Sequence, residues 1–211
     1  MAAWGTISAL ATAGGTLVLA AATFSSVKSA NRAARVAERS LMAGLRPLLL
    51  PSKMDDPAQK VSFLDDKWFL VPGGQAAAEF TPEAVYLVMS LRNVGAGIAV
   101  LHGWRFYPER QVGGDSQPTP LEGFTRLTRD LYVPYGDVGF WQGSFRDPSS
   151  PAFAEAAAAI TARRPMMVDL LYGDNEGGQR VISRFGLLPR QEEGWYVIAG
   201  RHWNIDRDDP R

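Results

Sequence analysis

The chain is 211 residues long, with 22 Lys and Arg balanced by 22 Asp and Glu, two His and no Cys. The missing cysteines exclude thiol nucleophiles and thiolate metal sites and fit a reducing compartment. The zero net charge conceals two opposed parts. Residues 28–46 hold five basic side chains and one acidic, while residues 47–211 hold the other 17 basic and 21 acidic. A mildly acidic domain of this kind offers no clustered Lys and Arg for phosphates, which argues against a nucleic-acid partner.

The first charged side chain is Lys28, and the 24 residues from Trp4 to Val27 are uncharged throughout. As a helix they reach ~36 Å at 1.5 Å per residue, enough for a bilayer core of ~30 Å. Lys28, Arg32, Arg35, Arg39 and Arg46 follow, opposed by Glu38 alone. Positive charge on this flank predicts a single pass through the plasma (inner) membrane, with the N-terminus outside and the C-terminal domain cytoplasmic. A cleaved signal peptide would put its positive charge before the apolar run, and a buried soluble helix would carry a polar face. Gly5 and Ala9, Ala9 and Ala13, and Ala11 and Gly15 repeat small residues at four-residue spacing. Such spacing lets helices approach closely in lipid, so Gly5, Ala9, Ala11 and Gly15 are the expected contact face toward a multi-pass membrane partner.

From residue 27 to 45 the apolar positions Val27, Ala30, Ala34, Ala37, Leu41 and Leu45 recur every three or four residues, predicting a helix that continues the first. Lys28, Arg32, Arg35 and Arg39 are the expected contacts to membrane lipid headgroups. Gly44 and Pro47 end the helix. The expected organisation is a transmembrane helix at 1–27, a basic juxtamembrane helix at 28–46 and one mainly-β domain at 47–211, large enough for its own core.

Beyond Pro47, runs rich in Val, Leu, Phe, Tyr and Trp alternate with turn residues, predicting strands at 47–51, 61–64, 68–71, 85–93, 98–107, 131–133, 138–145, 166–172, 180–188 and 195–205. That spacing points to a β-sandwich or barrel. Asp65-Asp66 and the Gly173 to Gly178 segment read as hairpin turns, and the stretches around 72–75 and 113–120 as loops. Residues 151–163 are alanine-rich and open with Ser150-Pro151, predicting the domain's one short helix, covering an end or edge of the sheet.

Arg46-Pro47 before an apolar strand, the Leu91-Arg92-Asn93-Val94-Gly95-Ala96-Gly97-Ile98-Ala99 element, and Asp169-Leu170-Leu171-Tyr172-Gly173-Asp174 together carry a resemblance. The chain resembles small actinobacterial single-pass membrane proteins whose soluble part is an immunoglobulin-like β-sandwich, although these usually have proline where Ile98 stands. More narrowly, it resembles the accessory subunit of a mycobacterial MCE-type lipid importer. The resemblance implies a non-enzymatic accessory subunit of a membrane complex, such as a lipid transporter, that stabilises or regulates the assembly. The alternative is a membrane-tethered cytoplasmic ligand-binding or enzymatic module.

Asn93, Gly95 and Gly97 read as a structural turn or bulge between buried strands, because glycine permits positive φ and Asn bonds its own backbone. The strand-like residues after Gly97 are wrong for a phosphate loop, which must run into a helix. No catalytic residues, metal ligands or cofactor are expected. His102 and His202 read as hydrogen-bonded structural residues, and Asp174, Asn175 and Glu176 as a solvated turn. Asp130, Asp137 and Asp169 could approach one another across a sandwich. Trp104, Trp141, Trp195 and Trp203 are expected in the core, whereas Trp68 and Phe69 could be exposed as a partner anchor.

Overall fold

The computed structural model describes residues 2–109, 117–190 and 194–206, with side chains of the first helix described at 15, 16, 18–42 and 44. The chain forms two compact units, Met1–Ala43 and Gly44–Arg211.

The first unit lies in a single unbroken helix, α1 (Ala2–Gly44). It ends where Gly44 lowers helix propensity and Pro47 denies Arg46 helical angles. Among the described residues no helix is long and apolar enough to cross a membrane. The side chains of residues 4–14 and 17, half of the expected span, lie outside the described ones.

The second unit is mainly β, as expected. Its strands are β1 (Leu49–Pro51), β2 (Gln59–Ser62), β3 (Trp68–Val71), β4 (Gln75–Phe80), β5 (Val85–Asn93), β6 (Ala99–Tyr107), β7 (Thr125–Val133), β8 (Val138–Phe145), β9 (Met166–Gly173), β10 (Val181–Pro189) and β11 (Trp195–Asn204). Nine of them form one curled antiparallel sheet in the order β1-β5-β4-β11-β10-β9-β6-β7, with β8 on the free edge of β5. One long edge of β5 pairs with β8 along Val85 to Arg92, while the other is shared, β4 taking Val85 to Met89 and β1 taking Leu91 to Asn93. The curl encloses the main core. Leu87, Met89 and Leu91 meet Trp104, Trp141, Tyr172 and Phe185 there, and Trp104 packs edge-on to Trp141 at 5.3 Å and to Phe145 at 5.2 Å between ring centroids.

Period-two alternation sends Tyr86 and Val88 of β5 to the opposite face, where they meet Val61, Phe63 and Val71 in a second core under the β2–β3 hairpin. That strand is therefore buried on both faces, which is why its sequence reads as a continuous apolar run. The short helix α2 (Pro151–Thr161) is capped by Ser150, whose hydroxyl accepts from the Phe153 amide at 3.3 Å, and buries Phe153, Ala156 and Ala159 in the main core. It packs on β4 and β5.

Four expectations need correction. Strand β4 (QAAAEF) replaces the loop expected at its start, since alanine carries little strand propensity; pairing on both sides, to β5 and β11, makes it a strand. Strand β7 begins six residues before the expected 131. Most of its side chains face solvent, so it lacks the apolar signal of a buried strand. Strand β2 sits two residues earlier than expected, and Leu64 is 97% exposed in the following turn. There Asp66 takes φ 59°, the left-handed conformation expected of this turn. Finally, α2 ends at Thr161, before Arg163 at φ 47°.

Candidate functional site

Three places concentrate polar chemistry, and the first is the exposed face of α1. Lys28, Arg32, Arg35 and Arg39 stand at spacings of four, three and four, and all are exposed. At ~100° per residue this spacing confines all four to an arc of about 60°. Phe24 (72% exposed) and Val27 (53% exposed) belong to the same half of the helix. Of the small-residue positions, Gly5, Ala9 and Ala11 lie outside the described side chains, and Gly15 is exposed with open space where a Cβ would stand.

The second place is the turn after β5. Asn93 is fully buried and uses both ends of its amide. Its Nδ2 donates to the carbonyls of Gly97 (2.6 Å) and Val133 (3.0 Å), and its Oδ1 accepts from the amides of Leu48 (3.1 Å) and Gly95 (3.0 Å). The amides of Val94 and Ala96 donate to the carbonyls of Leu48 and Arg46 at 2.8 and 2.9 Å. The element thus pins the chain at 45–49 as it enters the domain. The glycines serve differently from expectation. Neither Gly95 nor Gly97 has positive φ; they are small because backbone lies against them. A Cβ on Gly97 would fall 1.8 Å from the Leu45 carbonyl oxygen, and one on Gly95 2.3 Å from the Leu48 nitrogen.

A buried polar chain extends from the same place. The Leu49 amide donates to the Tyr172 hydroxyl at 3.1 Å, which lies 2.7 Å from Ser183 Oγ, itself 2.5 Å from His202 Nδ1. Burial pushes the Tyr172 phenol up to about 12. Ser183 is fully buried, so its hydroxyl is closed to any substrate despite its histidine neighbour.

The third place is a cavity of about 610 Å³ on the outer face of β6, β7 and β9. It forms where the ladder is irregular. Between Leu101 and Gly103, β6 spends one residue, His102, that has no partner on β9, and β7 spends four, residues 127–130. Bulges re-aim side chains and leave backbone groups out of the ladder. His102, Arg126, Asp130 and Arg180 supply the polar lining, and Leu121, Phe124, Leu127 and Leu171 much of the apolar lining. Asp206 holds the Arg180 guanidinium, accepting from Nη2 at 2.7 Å and from Nε at 3.1 Å. The Asp130 carboxylate accepts from the Tyr132 hydroxyl at 3.2 Å. Burial holds the His102 imidazole below its ordinary value; the nearby Arg180 charge acts the same way, while Asp130 and Asp174 oppose it. His102 therefore stands neutral at pH 7.

The three aspartates do not meet. Asp169 is fully buried on β9, bound to Arg184 through Nε at 2.7 Å and Nη2 at 2.8 Å, and accepts from the Thr119 hydroxyl at 2.6 Å. The Arg184 guanidinium also lies over the rings of Tyr107 and Trp203. Asp130 lies on β7 in the cavity, and Asp137 contributes its backbone carbonyl to the Asn93 amide at 3.1 Å. Asp174, in the expected turn, is buried and accepts from the Gly178 amide at 2.8 Å. No group of three or more metal-ligating side chains converges among the described residues. All four expected core tryptophans are buried. The exposed pair divides: Trp68 is half exposed under the Lys60 ammonium at 4.6 Å, whereas Phe69 packs edge-on to Phe63 at 5.8 Å.

No relative identifies this chain. No protein-family model matches it, no curated protein is significantly similar, and no solved structure matches its fold at a significant level. Sequence reasoning found the Asn93 element through its glycines and asparagine. It missed the cavity, because no local pattern announces a bulge that spends one residue on one strand and four on the next.

Proposed function

We propose that this protein is a non-enzymatic accessory subunit of a membrane complex, of the lipid-transporter kind that the sequence resemblance implies. In this reading α1 passes once through the inner membrane with its N-terminus outside, packs on a multi-pass partner through the Gly5, Ala9, Ala11 and Gly15 face, and leaves the mainly-β domain in the cytoplasm. The observation that carries the reading is the straight row of Lys28, Arg32, Arg35 and Arg39 on one exposed face of an unbroken helix, directly after a run without charge. Such a row attracts anionic headgroups by ~1 kcal/mol per charge and sets orientation. The domain is read as an immunoglobulin-like β-sandwich because β4 and β11 are joined by only two register pairs, Trp195 with Ala76 and Tyr196 with Gln75. That weak seam acts as the fold between one layer, in which β1, β4 and β8 all pair with β5, and a β11-β10-β9-β6-β7 layer. No nucleic acid and no cofactor enter the proposal.

The test joins extraction with topology. The full chain should stay in the membrane pellet through alkaline carbonate, and a reporter fused after Arg211 should be active in the cytoplasm only. Replacing Lys28, Arg32, Arg35 and Arg39 together by Gln should produce mixed orientation. Release into the carbonate supernatant, or a reporter active outside, overturns the reading. A second reading, a tethered ligand-binding module, draws its support from the cavity beside His102.

A further inference from the structure

We propose that the bulge cavity is a binding site for a small zwitterion of the short-peptide class, with Arg126 receiving the carboxylate, Asp130 the ammonium and the leucine-lined wall an apolar side chain. The inference deepens the ligand-binding reading and is independent of how α1 meets a membrane.

The volume suits it, since about 610 Å³ lies within the ~300–1,000 Å³ of ordinary small-ligand sites. The charges select the class. Arg126 and Asp130 both line the cavity and both are exposed, yet no ion pair joins them among the described residues. Arg180 is already neutralised by Asp206 at 2.7 Å, so the cavity presents one unmatched cation and one anion rather than a field of either sign. A simple anion would meet repulsion from Asp130, and a simple cation from Arg126. A ligand bearing both charges at its two ends satisfies both.

The spacing agrees. Four strand residues set the two Cα atoms at most ~13 Å apart. A di- or tripeptide, at ~3.5 Å per residue, fits within that bound. Leu121, Phe124, Leu127 and Leu171 give its side chain an apolar surface. The bulge supplies what a regular ladder would not, for residues 127–130 have no register partner on β6. Those four residues stand outside the β6 register, which is where an extended ligand backbone would add alongside them, as strand-adding peptides do. His102, held neutral, adds one donor and one acceptor without disturbing the charge balance.

The experiment titrates full-length protein, purified in mild detergent, with leucyl-leucine, its N-acetyl and C-amide forms, octanoate and octylamine. We expect saturable binding of free leucyl-leucine, with each blocked form weaker by about tenfold or more, the usual effect of losing one charge-assisted contact. Asp130→Asn should weaken the free dipeptide similarly but leave the N-acetyl form unchanged, and Arg126→Gln should do the same for the C-amide. Both side chains are exposed, so these variants should keep the parent melting temperature. Binding of octanoate or octylamine as tight as the dipeptide overturns the zwitterion assignment while keeping a ligand site. Binding of no probe overturns both this inference and the ligand-binding reading.

Discussion

At the scale of single residues, Asp169–Arg184 is, among the described ion pairs, the one buried on both sides. Both side chains are almost completely removed from solvent, and the fork is completed by Thr119. Breaking such a pair from one side leaves a charge buried without a partner, at a cost of about 3–5 kcal/mol. Asp169→Asn should therefore lower unfolding free energy by about that amount in urea titrations. Pairing Asp169→Leu with Arg184→Met should recover most of it, because the penalty comes from the orphaned charge. No recovery would mean that the ring contacts of Arg184 with Tyr107 and Trp203 dominate instead. His102 yields a second expectation. Because burial depresses its imidazole, its NMR titration should have a midpoint below the ~6.5 of a free histidine, and a midpoint at or above that value would contradict the burial of its ring.

At the scale of elements, the Asn93 turn shows a side chain acting in place of a ladder. The chain at 45–49 meets it through two backbone bonds and one amide bond to Asn93 Oδ1, and β1 itself is only three residues long. Gly97→Ala would drive a methyl into the Leu45 carbonyl, against backbone that has no rotamer to escape through. It should destabilise the domain by about 1–3 kcal/mol, as overpacking does, and speed amide exchange at Leu48 and Leu49 more than in β9 or β10. Uniform exchange across the sheet would show that the turn holds nothing locally. The structure places Asn93 at the end of β5, and close backbone rather than positive φ accounts for its glycines. Asn and Gly in series mark a turn through their own backbone preferences, whereas close approach of a segment about fifty residues earlier leaves no local trace. Strand β4 teaches the converse, since its alanines favour a strand only because neighbours on both sides pair with it.

Across the whole molecule, acid should be the effective denaturant. Hydrogen bonds from Arg92, Arg146 and Arg180 hold the carboxyls of Asp56, Asp65 and Asp206 below the usual carboxylate range, with the Tyr86 hydroxyl also donating to Asp65. Each folded-state value lies below its unfolded counterpart, so the unfolded chain takes up protons first as pH falls. Their stabilisation is complete above the ordinary carboxylate value near ~3.9 and disappears as pH drops through the folded values. His102, also depressed, adds a loss of the same sign that begins near pH ~6.5. Thermal midpoints should be flat above about pH 7, dip slightly toward pH 5 and fall steeply below pH 4. Asp65→Asn should make that last limb shallower. Arg146 and Asp65 are 40% and 34% exposed, so solvent screening keeps this contribution small beside the buried pair. A midpoint that rose on acidification would contradict the sign.

What the amino-acid order determined by itself was everything carried by local period and propensity. The uncharged run and its basic successor, the helix capped by Ser150, the tryptophan core and most of the strands follow from side chains counted along the chain. Only the tertiary structure decided the rest. An alanine-rich segment became a central strand, Asp169 found Arg184 rather than Asp130 or Asp137, and a bulge beside His102 opened a charged cavity. These depend on pairing between residues far apart in sequence, where the energy lies in burial and register and no single segment records the partner it will meet.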